Sequence, residues 1–368
     1  MKNVKQERGR LARVMKNPKR TGKPPALRPV LVTGGAGFIG SHLVECMLAD
    51  GKSVVVIDDF STGSLANLAT VKANPRLKII RSKISECNEL PQLAAEAEFI
   101  FHLAATVGVE LVVKSALHVL ESSFHETEIL LRAAAKNSTP LLLTSTSEVY
   151  GKSAKAEFGE DDDLLIGPPN QSRWSYACSK LTDEFLALAY AREKNLPVII
   201  ARLFNTVGPR QTGRYGMVLP RFIAAAKKNE PLKVFGDGKQ SRCFGFVHDV
   251  VEALVRLERA ALERRSLNRR VSDGASQRAD LEIGAPVFGE IFNIGGTEEV
   301  SILELARLVV KTLGSKSKIE LIPYDQAYAP GFDDMRRRKP LVKKLERFVQ
   351  FRPRTTLREI IRLTAEKI

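Results

Sequence analysis

Two side chains that could exchange a proton lie four residues apart in the segment Y-A-C-S-K. If this stretch is helical, Tyr176 and Lys180 lie on one face of the helix. A phenol has a pKa of about 10, and an adjacent ammonium with a cationic nicotinamide ring would lower that pKa toward the value of a working base. The same spacing occurs in many helices where an exposed Tyr–Lys pair does no chemistry, so a catalytic interpretation requires a cofactor site elsewhere.

A glycine-rich string upstream predicts such a cofactor site. Residues 35–40 read G-A-G-F-I-G, follow a short apolar run and open a helical pattern, and Asp58 stands 18 residues after Gly40. The glycines let a pyrophosphate approach the backbone, the helix N-terminus favours its charge, and a carboxylate about 20 residues further on holds ribose hydroxyls. Asp58 and the neighbouring Asp59 would repel a 2′-phosphate. We therefore predict that the chain binds NAD rather than NADP.

The segments around these residues alternate between predicted strands and helices. Six apolar, β-branched runs are predicted strands, at residues 30–33, 53–58, 77–80, 98–103, 141–144 and 198–203. Near-continuous apolar strands that alternate with helices indicate a parallel sheet covered on both faces. The predicted fold is therefore α/β, a Rossmann-type doubly wound parallel sheet with a smaller α/β C-terminal substrate lobe.

The predicted domain boundaries follow changes in composition along the chain. Punctuating glycines and prolines after residue 204 indicate a loop-rich lobe that takes the substrate. The prediction comprises a disordered basic extension at 1–28, an NAD-binding domain at 29–203 to which 244–260 and 288–296 return, a nucleotide-sugar-binding lobe at 204–243 and 297–350, a polar surface insertion at 261–287 and a C-terminal helix at 351–368.

Composition and charge exclude several classes of protein. The 368 residues are 44% hydrophobic and 27% charged, which excludes a wholly disordered chain or a disulfide scaffold. The net charge of +15 is concentrated at the two ends, so nucleic-acid binding is not expected except through residues 1–28. Four dispersed cysteines show no metal or disulfide spacing and favour a reducing cytoplasm. No apolar run reaches the roughly 18 residues that span a bilayer.

Seven motifs in order make the chain resemble the extended short-chain dehydrogenase/reductases that act on nucleotide sugars, the NAD-dependent epimerase/dehydratase group. The resemblance covers about residues 29–350. The motifs are T-G-G-A-G-F-I-G (33–40), H-L-A-A (102–105), S-T-S-E-V-Y-G (145–151), S-Y-A-C-S-K (175–180), R-L-F-N-T-V-G-P-R (202–210), V-F-G-D-G-K-Q-S-R (234–242) and R-R-R-K-P (336–340).

The resemblance implies a role for each matching position. Thr146 would hydrogen-bond the sugar hydroxyl, Tyr176 would take its proton, and Lys180 would tune Tyr176 and hold the nicotinamide ribose. A hydride would pass from sugar C4 to NAD⁺, form a 4-keto sugar and later return. The implied cofactor contacts are Gly34, Gly37, Phe38, Ile39, Gly40, Asp58, Asp59, Leu103, Ala104 and Ala105, together with Tyr176 and Lys180. The implied substrate contacts are Asn205, Arg242 and Arg338 on the phosphates, with Val234, Phe235 and Gln240 near the base.

The residues that follow Thr146 bear on which reaction follows oxidation. Family dehydratases carry Asp then Glu there, whereas this chain carries Ser147 and Glu148, as in the UDP-glucuronate decarboxylases. A β-keto acid decarboxylates readily, so we predict that Ser147 and Glu148 hold the sugar and return a proton to C5, and that Glu148→Gln leaves NAD binding intact. The best assignment from sequence is a UDP-glucuronate decarboxylase that forms UDP-xylose.

Other functions remain open at this stage. The first alternative is a UDP-sugar 4-epimerase resembling UDP-glucose 4-epimerase, because T-V-G-V-E-L at 106–111 is more like some epimerases. The second is an enzyme resembling dTDP-glucose 4,6-dehydratase. An NAD-binding scaffold with basic tails is the non-enzyme alternative. Family members pair through two helices per subunit, so a homodimer with a four-helix bundle is expected near residues 115–136 and 174–192. No metal site and no membrane contact are predicted.

Overall fold

The central element of the structure is a parallel sheet of seven strands. The structure is a computed structural model that describes residues 28–105, 115–212, 217–272, 287–323, 326 and 335–367. The strands of the sheet are β1 (Val30–Thr33), β2 (Val54–Asp58), β3 (Leu77–Arg81), β4 (Phe99–His102), β5 (Leu141–Thr146), β6 (Val198–Leu203) and β11 (Glu290–Ile294). All six strands predicted from the apolar runs are present, and the seventh lies within 288–296, the segment that was expected to return to this domain.

The order of the strands places the glycine-rich turn that follows β1 beside the central strand of the sheet, β4. The strands run in the order β11-β6-β5-β4-β1-β2-β3, and every neighbouring pair is parallel. The strand order therefore reverses between β1 and β4: β2 and β3 follow on one side of β1, and β4, β5 and β6 follow on the other. The register of the β1–β4 pair aligns Thr33 with His102. In open α/β sheets a ligand binds in the crevice at the carboxyl ends of the strands where this reversal occurs.

Nine helices among the described residues cover the sheet and build the lobe. They are α1 (Phe38–Ala49), α2 (Leu90–Glu96), α3 (Ala116–Ala135), α4 (Ser175–Lys194), α5 (Val218–Lys228), α6 (Val247–Ser272), α7 (Ile302–Leu313), α8 (Lys343–Val349) and α9 (Leu357–Ala365). Helices α2, α3 and α4 pack over one face of the sheet, and α1 and α6 pack together over the other. None of the described helices is long and apolar enough to cross a membrane.

The substrate lobe shares a core with the sheet domain. Its strands form the pairs β7 (Thr206–Val207) with β10 (Gly245–Phe246), β8 (Leu232–Phe235) with β13 (Ile319–Ile322), and β9 (Ser241–Cys243) with β12 (Glu299–Ser301). Leu219 and Phe222 of α5 are buried in the same cluster as Val30 and Val54 of the sheet. The lobe is therefore attached through a continuous apolar interior, which fixes its position over the sheet edge.

Helix α6 extends into the segment predicted to be a polar surface insertion. Residues 261–272 continue the helix; Ala261 is fully buried, and Arg265 donates a hydrogen bond to the carbonyl of Ser138 at 3.0 Å. Apolar residues at the three- to four-residue spacing of a helix are sparse in this stretch, so its sequence alone does not indicate a helix. The remainder of the insertion, 273–286, and residues 1–27 of the basic extension lie outside the described residues.

Candidate active site

The turn between β1 and α1 has no room for side chains. Gly34 adopts a φ of +71°, and a Cβ atom there would lie 2.7 Å from the backbone nitrogen of Ala104. A Cβ atom on Gly40 would lie 2.1 Å from the carbonyl oxygen of Gly34. The glycine spacing therefore serves two purposes, since it lets α1 start close to the sheet and leaves backbone N–H groups accessible to an anion at the helix N-terminus.

Asp58, the last residue of β2, contacts the backbone of this turn. Its carboxylate accepts backbone hydrogen bonds from Ala36 and Phe60, both at 2.8 Å. Burial raises the pKa of Asp58, while these two N–H groups oppose that rise. Asp58 and Asp59 both line the cavity described below, so the structure brings the predicted ribose-binding carboxylates beside the glycine turn.

A single cavity of about 1210 Å³ holds nearly all of the predicted site residues. It runs from the glycine turn past Leu103, Ala104 and Ala105 to the substrate lobe, where Phe235 and Gln240 line it. The exception is Val234, which is fully buried in the core. Successive side chains of a strand point to opposite faces, so in β8 Phe235 lines the cavity and Val234 does not.

Tyr176 lies at the centre of the cavity wall, on the first turn of α4. Thr146, the last residue of β5, lines the same cavity, and its hydroxyl acts to lower the pKa of Tyr176. Burial, together with the charges of Glu148 and Asp183, raises the pKa of Tyr176 well above its ordinary value. The expected lowering of this pKa is therefore not found in the protein alone. A nicotinamide cation beside the ring would act in the opposite direction.

Lys180 is buried one helical turn after Tyr176. Its side chain is 3% exposed, and its Nζ donates to Oδ2 of Asp183 at 2.9 Å. Asp183 was not singled out in the sequence, although its position three residues after Lys180 on a helix is the spacing at which such a pair can form.

Glu148 is held between two arginines. Arg173 and Arg338 both pair with its carboxylate, the latter at 3.1 Å. Burial acts to raise the pKa of Glu148, but the charges of Arg173, Arg338 and Arg242 lower it to about 2. Glu148 is therefore ionised at neutral pH, and the structure does not support the expectation that it delivers a proton to C5.

Arg173 is the functional candidate that the sequence analysis missed. It is 4% exposed, lines the cavity and lies in the short 3-10 helix Ser172–Trp174 that leads into α4. The sequence feature that could have identified Arg173 is its position three residues before Tyr176, since about one helical turn separates the two side chains. Together with Arg242 and Arg338 it places three guanidinium groups around the single carboxylate of Glu148.

A second buried network holds the end of β5. The guanidinium of Arg202 donates to Glu184 at 2.8 and 3.0 Å and to the hydroxyl of Tyr150 at 3.0 Å, and the hydroxyl of Ser145 donates to Glu184. These residues belong to β5, β6, α4 and the 3-10 helix Ser147–Tyr150. The network therefore fixes the strand end that carries Thr146 relative to the helix that carries Tyr176.

The remaining predicted substrate contacts lie at the lobe end of the cavity. Asn205 lines the cavity, while its amide donates to the carbonyl of Cys243 at 2.9 Å and so also ties the two loops together. Gln240 donates to the carbonyl of Phe235 at 3.0 Å. Within the described residues, no group of three or more His, Cys, Asp or Glu side chains could hold a metal ion.

Comparisons with known proteins find a matching family model, similar curated proteins and similar solved structures. A family model described as NAD dependent epimerase/dehydratase family matches residues 30–268. UDP-N-acetyl-alpha-D-glucosaminuronate decarboxylase of Bacillus cytotoxicus is 39% identical over 91% of this chain and 96% of its own length. UDP-glucuronic acid decarboxylase 4 of Arabidopsis thaliana is 34% identical over 90% of this chain and 66% of its own length. The crystal structure of UDP-glucuronic acid 4-epimerase from Bacillus cereus, in complex with UDP-glucuronic acid and NAD, is 28% identical, with a TM-score of 0.76 over 92% of this chain and 98% of that chain.

We predict that Gly40→Ala weakens NAD binding. The added Cβ atom would collide with the carbonyl of Gly34, so the turn must open and the helix N-terminus must move. Isothermal titration calorimetry with NAD⁺ should show at least about a tenfold loss of affinity, equal to about 1.4 kcal/mol. Gly159→Ala is the matched control, since its Cβ atom would meet no atom closer than 3.6 Å. Equal affinities in the two variants would contradict the assignment of the turn.

Proposed function

The chain belongs to the NAD-dependent epimerase/dehydratase family, and from that premise we propose that it is a nucleotide-sugar decarboxylase that acts on a UDP-linked uronic acid. Two relatives, from Bacillus cytotoxicus and Arabidopsis thaliana, are named as decarboxylases of such sugars. Their names differ only in the sugar, glucosaminuronate with an N-acetyl group or glucuronate. We therefore propose the uronic acid as the common feature of the substrate, with UDP-glucuronate and its N-acetylamino analogue as the two candidates.

The observation that carries this proposal is the cluster of guanidinium groups in the part of the cavity that Tyr176 lines. Arg173 and Arg338 contact the carboxylate of Glu148, and the charge of Arg242 also acts on it. The planar guanidinium suits both a diphosphate and a sugar carboxylate, because it donates two parallel hydrogen bonds.

The residues of the site fit each step of a decarboxylation. Bound NAD would accept the hydride from C4 of the sugar and return it at the end of the cycle. Tyr176 takes the proton of the 4-hydroxyl, and Thr146 holds both groups in place. Once C4 is a ketone, the C5–C6 bond breaks, its electrons move to the C4 oxygen as carbon dioxide leaves, and Tyr176 can give its proton to that oxygen. C5 then takes a proton from water while the enol returns its O–H proton to Tyr176, and the ketone is restored.

We assign Glu148 a positioning role in this scheme. Because its pKa is about 2, it is a fixed anion that holds Arg173 and Arg338 in the cleft. Asn205, Arg242 and Arg338 are proposed to bind the diphosphate, and Phe235 and Gln240 the base. Ser147 is buried, and its Oγ has no hydrogen-bond partner among the described residues, which suits a contact with the sugar.

A product assay distinguishes this proposal from its main alternative. The purified chain is incubated with NAD⁺ and, separately, UDP-glucuronate, UDP-N-acetylglucosaminuronate or UDP-glucose, and products are followed by mass spectrometry and carbon dioxide release. We expect one uronic acid to lose the mass of carbon dioxide, and we expect Tyr176→Phe to reduce the rate by about 10²-fold or more. A product of unchanged mass from a uronic acid would instead identify a 4-epimerase, the activity named for the Bacillus cereus structure.

Glu148→Gln tests whether Glu148 positions the arginines or transfers a proton. The substitution removes the anion between Arg173 and Arg338, so kcat should fall by about 10²-fold, as for a misplaced catalytic group. The wild-type carboxylate stays ionised down to about pH 2, so the fold loss should be the same at every pH from about 5 to 9. Glu193→Gln, an exposed change on α4, is the control. A loss that varies with pH across that range would assign Glu148 a proton-transfer role.

The finer statements about assembly and location are also proposals. Helices α3 and α4 pack together and expose Leu117, Phe124 and Phe185, which are 69%, 44% and 64% exposed. We propose that a second copy covers this surface, forming a four-helix bundle. All four cysteines are free thiols, which suits a reducing compartment such as the cytoplasm.

Phe185→Asp should convert the proposed dimer to a monomer, because a charge would be buried without a partner at the centre of the bundle. Sedimentation velocity at several protein concentrations measures the change. Leu321→Asp, which alters a leucine of the lobe that is 55% exposed, should leave the mass unchanged. A wild-type protein that sediments as a monomer would rule out the bundle.

A further inference from the structure

The catalytic lysine has a buried carboxylate as its counter-ion. Asp183 lies on α4, three residues after Lys180, and is 0% exposed. Its Oδ2 accepts from Lys180 at 2.9 Å and from the hydroxyl of Ser123, on the neighbouring helix α3, also at 2.9 Å. Asp183 is therefore held from both sides, beneath the wall of the cavity that Lys180 lines.

Lys180 is a cation in direct contact with the Asp183 carboxylate. The second oxygen of Asp183, Oδ1, is buried and has no hydrogen-bond partner in the described part of the chain. Ser123 contributes a hydrogen bond but no charge. An unpaired buried carboxylate or ammonium is strongly destabilising, so the contact between the two ions offsets the cost of burying both.

The other charged groups near Tyr176 do not remove this balance. On the 3-10 helix after β5, Glu148 is ionised and is itself surrounded by Arg173, Arg242 and Arg338. On β4, His102 packs between Thr33 and Thr127, and burial together with the charge of Lys180 lowers its pKa to about 3, so it is neutral.

We propose that Asp183 is a positioning residue that holds the Lys180 ammonium in place and cancels its charge, so that Lys180 alone does not ionise Tyr176. The lysine still presents donor hydrogens to the cavity, but the Lys180–Asp183 pair contributes no net charge to the phenol. The ionisation of Tyr176 then depends on a positive charge supplied by whatever occupies the cavity. This inference rests on the proposed catalytic site, although it requires no particular substrate.

The structure supports this charge balance in one further respect. Burial is the largest cause that raises the pKa of Tyr176, and the charge of Asp183 adds to it, as does that of Glu148. A lysine that acted without its counter-ion would lower the same pKa. Removing the negative charge of Asp183 while keeping Lys180 should therefore make Tyr176 a stronger acid.

The test measures tyrosine ionisation in the full chain without cofactor or substrate. Tyrosinate absorbance is titrated with pH, and the signal of Tyr176 is obtained by subtracting the curve of the corresponding Tyr176→Phe protein. In wild type we expect no ionisation of Tyr176 below about pH 10. In Asp183→Asn, which keeps the size and a hydrogen-bond acceptor, we expect the midpoint to move down by about one pH unit or more.

Two control proteins separate charge from structural disturbance. Ser123→Ala removes a hydrogen bond to the same carboxylate without changing the net charge, so Tyr176 should titrate as in wild type. Asp183→Asn with Lys180→Met removes both charges, so the shift seen in Asp183→Asn should disappear. A shift that persists in the double variant would overturn the proposal, because it could not come from the lysine charge.

The remaining outcomes also decide the question. A folded Asp183→Asn protein, verified by circular dichroism, whose Tyr176 titrates as in wild type would assign Asp183 a purely structural role. If Asp183→Asn does not fold, Asp183→Ser provides a second neutral variant, and failure of both to fold would likewise overturn the proposal. Because no substrate is used, these results do not depend on whether the enzyme is a decarboxylase.

Discussion

Three carboxylates buried around the carboxyl end of β5 are each paired with a cation, and the geometry of the catalytic side chains depends on these pairs. Glu184 pairs with Arg202, Asp183 with Lys180, and Glu148 with Arg173 and Arg338. A buried charge without a partner costs several kcal/mol, so each pair offsets the cost of burying its charges and stabilises the folded chain. The side chains that surround the cavity are consequently fixed before a ligand arrives.

The topology of the sheet decides where these pairs lie. Reversal of the strand order between β1 and β4 opens a crevice at the carboxyl ends of the strands, and the glycine turn and residues 103–105 line its two sides. Thr146 leaves β5 at the same edge, one strand further along the sheet. The substrate lobe shares its core with the sheet domain, so Arg242 and Arg338 are brought to this edge by packing rather than by sequence proximity.

Local motifs predicted the fold and the cofactor half of the site because their physical cause is local. A turn without Cβ atoms, an apolar run and a carboxylate at a strand end can each be recognised from neighbouring residues. The pairing of Glu148 with Arg173 and Arg338 could not, since it joins residues 25 and 190 positions apart. The direction of the pKa shift of Tyr176 could not be predicted from the sequence either. It is set by burial and by the charges of Glu148 and Asp183, and a motif does not show that these groups lie near the phenol. Helix α6 extends past residue 260 because of contacts such as that of Arg265 with Ser138, which are likewise tertiary.

Two buried carboxylates near Tyr176, Glu148 and Asp183, have different partners, and the proposed chemistry uses the difference. Around Glu148 three arginines line the cavity, and these are the groups that the anions of the proposed substrate would contact. Around Asp183 the partner is Lys180, and burial with the charges of Glu148 and Asp183 raises the pKa of Tyr176. A base that ionises only when a cationic ring lies beside it is active only when the oxidant for C4 is present. In the proposed arrangement, removal of the proton from the 4-hydroxyl is therefore limited to a site that also holds the hydride acceptor.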